Sequence, residues 1–154
     1  MPLSDLLPQD AVLPALKVNS KKQALQEIAE RAAKLTGVGE REIFDTLLQR
    51  ERLGSTGVGN GIAIPHGKLA KFNRIFGLFA RLERPIDYEA LDGQPVDLIF
   101  LLLAPESAGA DHLRALSRIA RMLRDPAIVH KLRATNDSAG LYAILCDEPT
   151  SHAA

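Results

Sequence analysis

Val96-Asp97-Leu98-Ile99-Phe100-Leu101-Leu102-Leu103 decides the fold. The run is nearly all apolar and does not alternate. A strand that reads this way is covered on both faces, as a central strand of an α/β sheet is. Asp92-Gly93 supplies a turn before it. Upstream, Ile75–Leu82 alternates weakly and predicts a second strand, and Ile62–Ile64 a short third one. Val12-Leu13 is a candidate edge strand within the proline-punctuated residues 1–19. Downstream, Leu113, Leu116, Ile119, Ala120 and Leu123 recur at helical spacing, predicting a helix over Asp111–Arg124 with Asp111 as its N-cap. Asp125-Pro126 starts a short helix through about Arg133, and Asp137 or Ser138 a last one through about Cys146.

The N-terminal half is helical. Ser20 caps a helix to Leu35 with Leu25, Ile28, Ala29, Ala32 and Leu35 inward, and Thr36-Gly37 stops it. A second helix runs from about Glu40 with Ile43, Phe44, Leu47 and Leu48 on one face. It ends near Arg50-Glu51-Arg52, where basic residues suit the helix dipole. Helices at both ends and strands between them predict an α/β sandwich, a mixed β-sheet flanked by helices on both faces. The 154 residues read as a single domain, 1–154, with residues 149–154 expected to be a disordered tail.

Composition narrows the function classes. The 19 basic and 19 acidic side chains cancel, which argues against a nucleic-acid surface or a polybasic membrane anchor. No apolar run approaches the ~18 residues that span a bilayer, and the N-terminus shows no basic or apolar targeting region. A cytoplasmic protein without membrane insertion is expected. Cys146 is the one cysteine, so no internal disulfide forms, and it reads as a buried structural thiol. His66, His112, His130 and His152 show no metal-ligand spacing and have no cysteine partner; neither a metal nor a cofactor is expected.

The chemistry concentrates in Gly54-Ser55-Thr56-Gly57-Val58-Gly59-Asn60-Gly61-Ile62-Ala63-Ile64-Pro65-His66-Gly67-Lys68. Five residues separate Gly61 from Gly67, and Leu69 follows Lys68, so the spacing is not that of a P-loop. The alternating Gly57, Gly59 and Gly61 lead into a strand, which excludes the dinucleotide fingerprint. Such a loop can still turn backbone N–H groups toward an anion. His66 sits in a Pro-His-Gly turn that fixes the incoming backbone and leaves the imidazole uncovered. Its ordinary pKa, about 6.5, keeps a nucleophilic nitrogen available for a phosphoryl group. His112 is placed at a helix N-terminus, a natural anion site, where it could donate to a phosphoryl oxygen or simply be solvated. Arg50 enters the loop with a guanidinium suited to phosphate, and Arg52 is its rival.

The fifteen-residue stretch strongly resembles the active-site motif of enzyme IIA proteins of the bacterial phosphotransferase system, type 2, and within them the nitrogen-regulatory branch. The likeness extends from Ser20-Lys21-Lys22 to the last helix and includes Pro95-Val96-Asp97-Leu98 and His112-Leu113-x-x-Leu116. The resemblance implies that His66 is the phosphoryl acceptor, that Arg50 rather than Arg52 is the active-site arginine, and that His112 is the second histidine. Gly54, Ser55, Thr56, Gly57, Gly59, Asn60 and Gly67 would line the phosphate. It implies an HPr-like phosphocarrier as donor and regulatory target proteins, such as kinases or transporters in nitrogen and potassium control, as readers of the phospho-state. Two other functions remain open: a IIA subunit passing phosphate to a IIB protein of a sugar permease, and an anion-sensing binding module without turnover.

Overall fold

The structure, a computed structural model, describes residues 2–147. Six strands form one mixed sheet: β1 (Val12–Leu16), β2 (Gly57–Gly59), β3 (Ile62–Ala63), β4 (His66–Leu69), β5 (Phe76–Ile86) and β6 (Val96–Pro105). Five helices accompany them: α1 (Lys21–Thr36), α2 (Glu40–Arg52), α3 (Ala110–Met122), α4 (Pro126–Ala134) and α5 (Ser138–Leu145). The strand order is β1-β5-β6-β3-β2, with β4 also on β6. β1/β5, β3/β6 and β4/β6 are parallel; β5/β6 and β2/β3 are antiparallel. The sequence expectation of a mixed α/β sandwich therefore holds. β6 is the spine. Leu98 through Ala104 are all buried, so both faces of the strand are covered.

Local signals set the helices. Ser20 Oγ accepts the Gln23 N–H at 3.1 Å while the Gln23 side chain accepts from Asn19 N–H at 2.7 Å, a reciprocal cap that fixes the start of α1. Gly37 closes it at φ 78°, where a side chain would be strained. Asp125 and Asp137 cap α4 and α5 with their carboxylates, as their sequence positions predict.

Four expectations are corrected. First, Gly109, at φ 56°, is the N-cap of α3, and Asp111 lies inside the helix. Second, Leu113 is 62% exposed and His112 and Ala115 are buried instead, while Ile119 and Leu123 are buried as expected and Leu116 and Ala120 pack against the core. Third, Pro65-His66-Gly67 is not a turn. Ile62 pairs with Leu98 and His66 with Leu102, so β3 and β4 run along β6 in one unbroken register. The ladder is interrupted only where Pro65 lacks an N–H and Ile64 N–H turns instead to Thr56 O at 3.0 Å. Fourth, Cys146 is half-buried rather than buried. The expected tail, 149–154, lies outside the described residues, as does His152.

Candidate functional site

His66 opens β4, and the strand aims it. Successive strand residues face opposite sides of a sheet. Gly67 faces α2, where a Cβ would stand 2.7 Å from Thr46 Cγ2. His66 faces the other way, toward α3, and its ring centroid is 5.9 Å from that of His112. A glycine at 67 is thus required by the close approach of α2, whose last turn delivers Arg50 to the imidazole.

Two contacts define the ring. His66 Nδ1 lies 2.8 Å from the Ile64 carbonyl oxygen, which can only accept, so Nδ1 carries the proton. Nε2 is left with its lone pair, and Arg50 Nε donates to it at a long 3.4 Å. Arg50 Nη1 also donates to Gly54 O at 2.9 Å. Burial, first, and then the nearby Arg50 charge hold the His66 pKa below the ordinary histidine value, against the Ile64 hydrogen bond and Glu51, which oppose them. The ring is neutral at neutral pH and its free nitrogen faces a cation. Arg52, one residue beyond Glu51, is exposed.

His112 is 6% exposed, and among the described residues its Nδ1 is the buried side-chain nitrogen or oxygen that lacks a hydrogen-bond partner. Burial, then His66 and Lys68, lower its pKa. Lys68 is two residues beyond His66 on β4 and shares its face. Two histidines and two cations, Arg50 and Lys68, therefore surround one spot. An orphaned buried polar atom is costly, about 1–3 kcal/mol, and is tolerated most readily where something else completes it.

The glycine-rich segment splits in two. Gly54 stays beside Arg50, while the Ser55 hydroxyl donates to Tyr88 O at 3.3 Å. Thr56 turns inward, its N–H donated to Glu51 Oε1 at 3.0 Å and its hydroxyl to Glu51 Oε2. Gly57 N–H bonds Ser55 Oγ at 3.0 Å, and a Cβ on Gly57 would meet Ala90 at 2.8 Å. The tip of the hairpin is elsewhere. Asn60 N–H bonds Asp92 at 2.9 Å and its carbonyl accepts from Arg133 at 2.7 Å, while Arg133 grips Asp97. Gly59 packs against Asp92. Gly61 precedes the Ile62–Leu98 pair, four residues along β6 from the His66–Leu102 pair, or ~13 Å at strand rise. The structure therefore places Gly59 and Asn60 away from the imidazole, gives the donors of Thr56 to Glu51 of α2, and gives the Gly57 N–H to a bond within the loop. Among the described residues no group of three or more His, Cys, Asp or Glu is arranged to hold a metal, and no helix is long and apolar enough to cross a membrane.

Sequence reasoning missed Glu51. It is 8% exposed and bonds Thr56, Tyr88 Oη at 3.3 Å and Lys21 Nζ at 3.0 Å. A charged residue in a last helical turn gives no hint of this, because its partners are remote in sequence.

The chain matches, over residues 5–148, the family model described as phosphoenolpyruvate-dependent sugar phosphotransferase system, EIIA 2. It is 65% identical over 153 residues to a nitrogen regulatory protein of Bradyrhizobium diazoefficiens, covering 99% of this chain and 100% of that protein. It is 44% identical to a nitrogen regulatory protein of Escherichia coli, covering 94% of this chain and 90% of that protein. The crystal structure of nitrogen regulatory protein IIA-Ntr from Neisseria meningitidis superposes with a TM-score of 0.88 at 36% identity, covering 93% of this chain and 98% of that one.

Proposed function

This chain belongs to the EIIA 2 family of the phosphoenolpyruvate-dependent sugar phosphotransferase system, and from that premise we propose that it is a phosphohistidine carrier with a regulatory output. His66 accepts a phosphoryl group from the phosphohistidine of an HPr-like carrier, and regulatory proteins read the phospho-state in the cytoplasm. The observation that carries this reading is the division of labour on one ring: Nδ1 tied to the Ile64 carbonyl, Nε2 free and facing Arg50.

The chemistry follows from that division. The Nε2 lone pair attacks phosphorus in line, the donor's N–P bond breaks, and its electron pair returns to the donor ring. The His66 ring, still protonated at Nδ1, becomes cationic, and its N–H bond to Ile64 strengthens as the charge develops. That ring remains a good leaving group, which a carrier needs. Arg50 swings its guanidinium from Nε2 onto the phosphoryl oxygens, Lys68 adds field, and the unpartnered Nδ1 of His112 gains an acceptor. Gly54, whose carbonyl holds Arg50, is the loop residue nearest the transferred group, and Ser55 braces the loop through Tyr88 O and Gly57 N–H. Thr56, Gly57, Gly59 and Asn60 shape the loop, and Gly67 admits α2. The names of the Bradyrhizobium and E. coli relatives support a regulatory output over sugar uptake.

The test is incubation with phosphoenolpyruvate and the general phosphotransferase proteins. The reading expects one phosphoryl group per chain, stable in base, lost in mild acid, and absent from a folded His66→Ala variant. An anion-sensing module would gain no mass.

A further inference from the structure

Glu51 is next to Arg50 in sequence, yet the two side chains do opposite things. A helix turns each residue about 100° from the last. Arg50 emerges toward His66, and Glu51 goes under the loop. There its carboxylate meets four donors from three separate parts of the chain: the N–H and hydroxyl of Thr56, the hydroxyl of Tyr88 and the ammonium of Lys21. Lys21 also lies 4.7 Å over the Tyr88 ring, and Tyr88 Oη is 3.1 Å from Thr56 Oγ1. Tyr88 is fully buried, and burial, then the Glu51 charge, push its phenol well above its ordinary value, so it serves as a neutral donor.

The network does not stop at Thr56. The Thr56 carbonyl accepts Ile64 N–H at 3.0 Å, and the Ile64 carbonyl holds His66 Nδ1 at 2.8 Å. Glu51 is therefore joined to the imidazole through Thr56 and Ile64. We propose that Glu51 is a positioning residue for phosphoryl transfer: its buried carboxylate, clamped by Lys21 and Tyr88, fixes the Thr56–Ile64 backbone so that the Ile64 carbonyl holds His66 with Nδ1 protonated and Nε2 toward Arg50. The adjacency of Arg50 and Glu51 then has a purpose. One helical turn sets the guanidinium against the ring from one side and the backbone carbonyl that orients the ring from the other.

The transfer part of this proposal rests on the carrier reading; the ring-orientation part does not. The experiment has two readouts on Glu51→Gln, with thermal melting as the check on folding. Nitrogen-15 NMR of the unphosphorylated protein reports the His66 tautomer, and rapid-quench kinetics report transfer from a phosphorylated HPr-type donor. The expected result is a folded protein in which the Nδ1-protonated form no longer dominates and transfer is about ten- to a hundredfold slower, the range that a displacement of around 1 Å can cost. Tyr88→Phe removes one donor to the carboxylate, together with the Thr56 Oγ1 contact, and keeps the Glu51 charge and its bonds to Thr56 and Lys21. It should shift both readouts in the same direction by less. A folded Glu51→Gln with the wild-type tautomer and rate overturns the proposal. If Glu51→Gln does not fold, Tyr88→Phe decides, and unchanged tautomer and rate there overturn it equally. A wild-type protein that takes up no phosphate would sink the carrier reading, while the tautomer measurement would still decide what Glu51 does to the ring.

Discussion

Replacing Arg50 with alanine separates a role in chemistry from a role in folding. In the resting protein the guanidinium makes one good bond, to Gly54 O at 2.9 Å, and one long one, to His66 Nε2 at 3.4 Å. The site is half-exposed, so their loss should cost no more than about 0.5–1.5 kcal/mol of stability. For a domain of this size that is a fall in Tm of roughly 1–6 °C. In the proposed transfer the same group would meet the phosphoryl oxygens and could grip two of them. Charge-assisted bonds are worth about 1.5–3 kcal/mol each. Because the phosphoryl group must also leave, the net effect should be smaller than in one-way phosphoryl transfer. The expectation is ~3–4 kcal/mol on the barrier, or about a hundred- to a thousandfold in rate. Arg50→Lys should fall between, since it keeps the charge but loses the fork. Rapid-quench transfer from a phosphorylated donor, alongside a thermal melt, gives both numbers. An Arg50→Ala rate within threefold of wild type, or a slow Arg52→Ala beside it, would refute the assignment.

The other predictions use the same assays. His112→Ala should still accept phosphate on His66 but transfer or retain it about ten- to a hundredfold less well, and His112→Gln should recover part of this because its amide can donate; phosphate mapped to His112 in the wild type would reverse the roles. Gly67→Ala should push α2 off β4 at about 1–3 kcal/mol and slow transfer, and a second change, Thr46→Ala, should restore both by removing Cγ2, 2.7 Å from the new Cβ; no rescue would mean that Gly67 acts on the phosphoryl itself. Burial holds His66 and His112 below their ordinary value, so the unfolded chain binds more protons just below about pH 6.5. Stability is then full above that pH and falls as pH drops through the lowered folded values. Urea midpoints at stepped pH should show an acid loss that His66→Gln plus His112→Gln reduces; an undiminished loss in the double variant would show that burial of these two rings is not its cause.

What the sequence discloses and what it hides have physical reasons. Ser20 with Gln23, Gly37, Asp125 and Asp137 are local signals, and each terminus appears where they place it. Val96–Leu103 announces a strand covered on both faces because an unbroken apolar run fits little else at that length. β4 is hidden, since Pro65 and Gly67 read as turn residues when nothing shows that β6 supplies the pairing partner. The first turn of α3 is misleading because residue type alone puts a histidine outward and Leu113 inward, whereas the fold buries His112 and exposes Leu113; from Leu116 onward the expected face holds. Within the candidate site, the motif points to Arg50, His66 and His112, which the fold brings together, but it presents the glycine-rich segment as one loop. Only tertiary contacts divide it into a part beside Arg50 and a tip anchored to Asp92 and Arg133. Glu51 is invisible for the same reason, its meaning lying in Lys21 and Tyr88.

The central claim is that a neutral His66, protonated at Nδ1, takes phosphate on Nε2. The most direct measurement is phosphorus- and nitrogen-15-resolved NMR of the protein after phosphorylation by the general phosphotransferase proteins. The account predicts a single phosphorus coupled to Nε2 of His66, with Nδ1 still bearing its proton against the Ile64 carbonyl. Phosphorus on Nδ1, on His112 or on a hydroxyl such as that of Ser55 would contradict it.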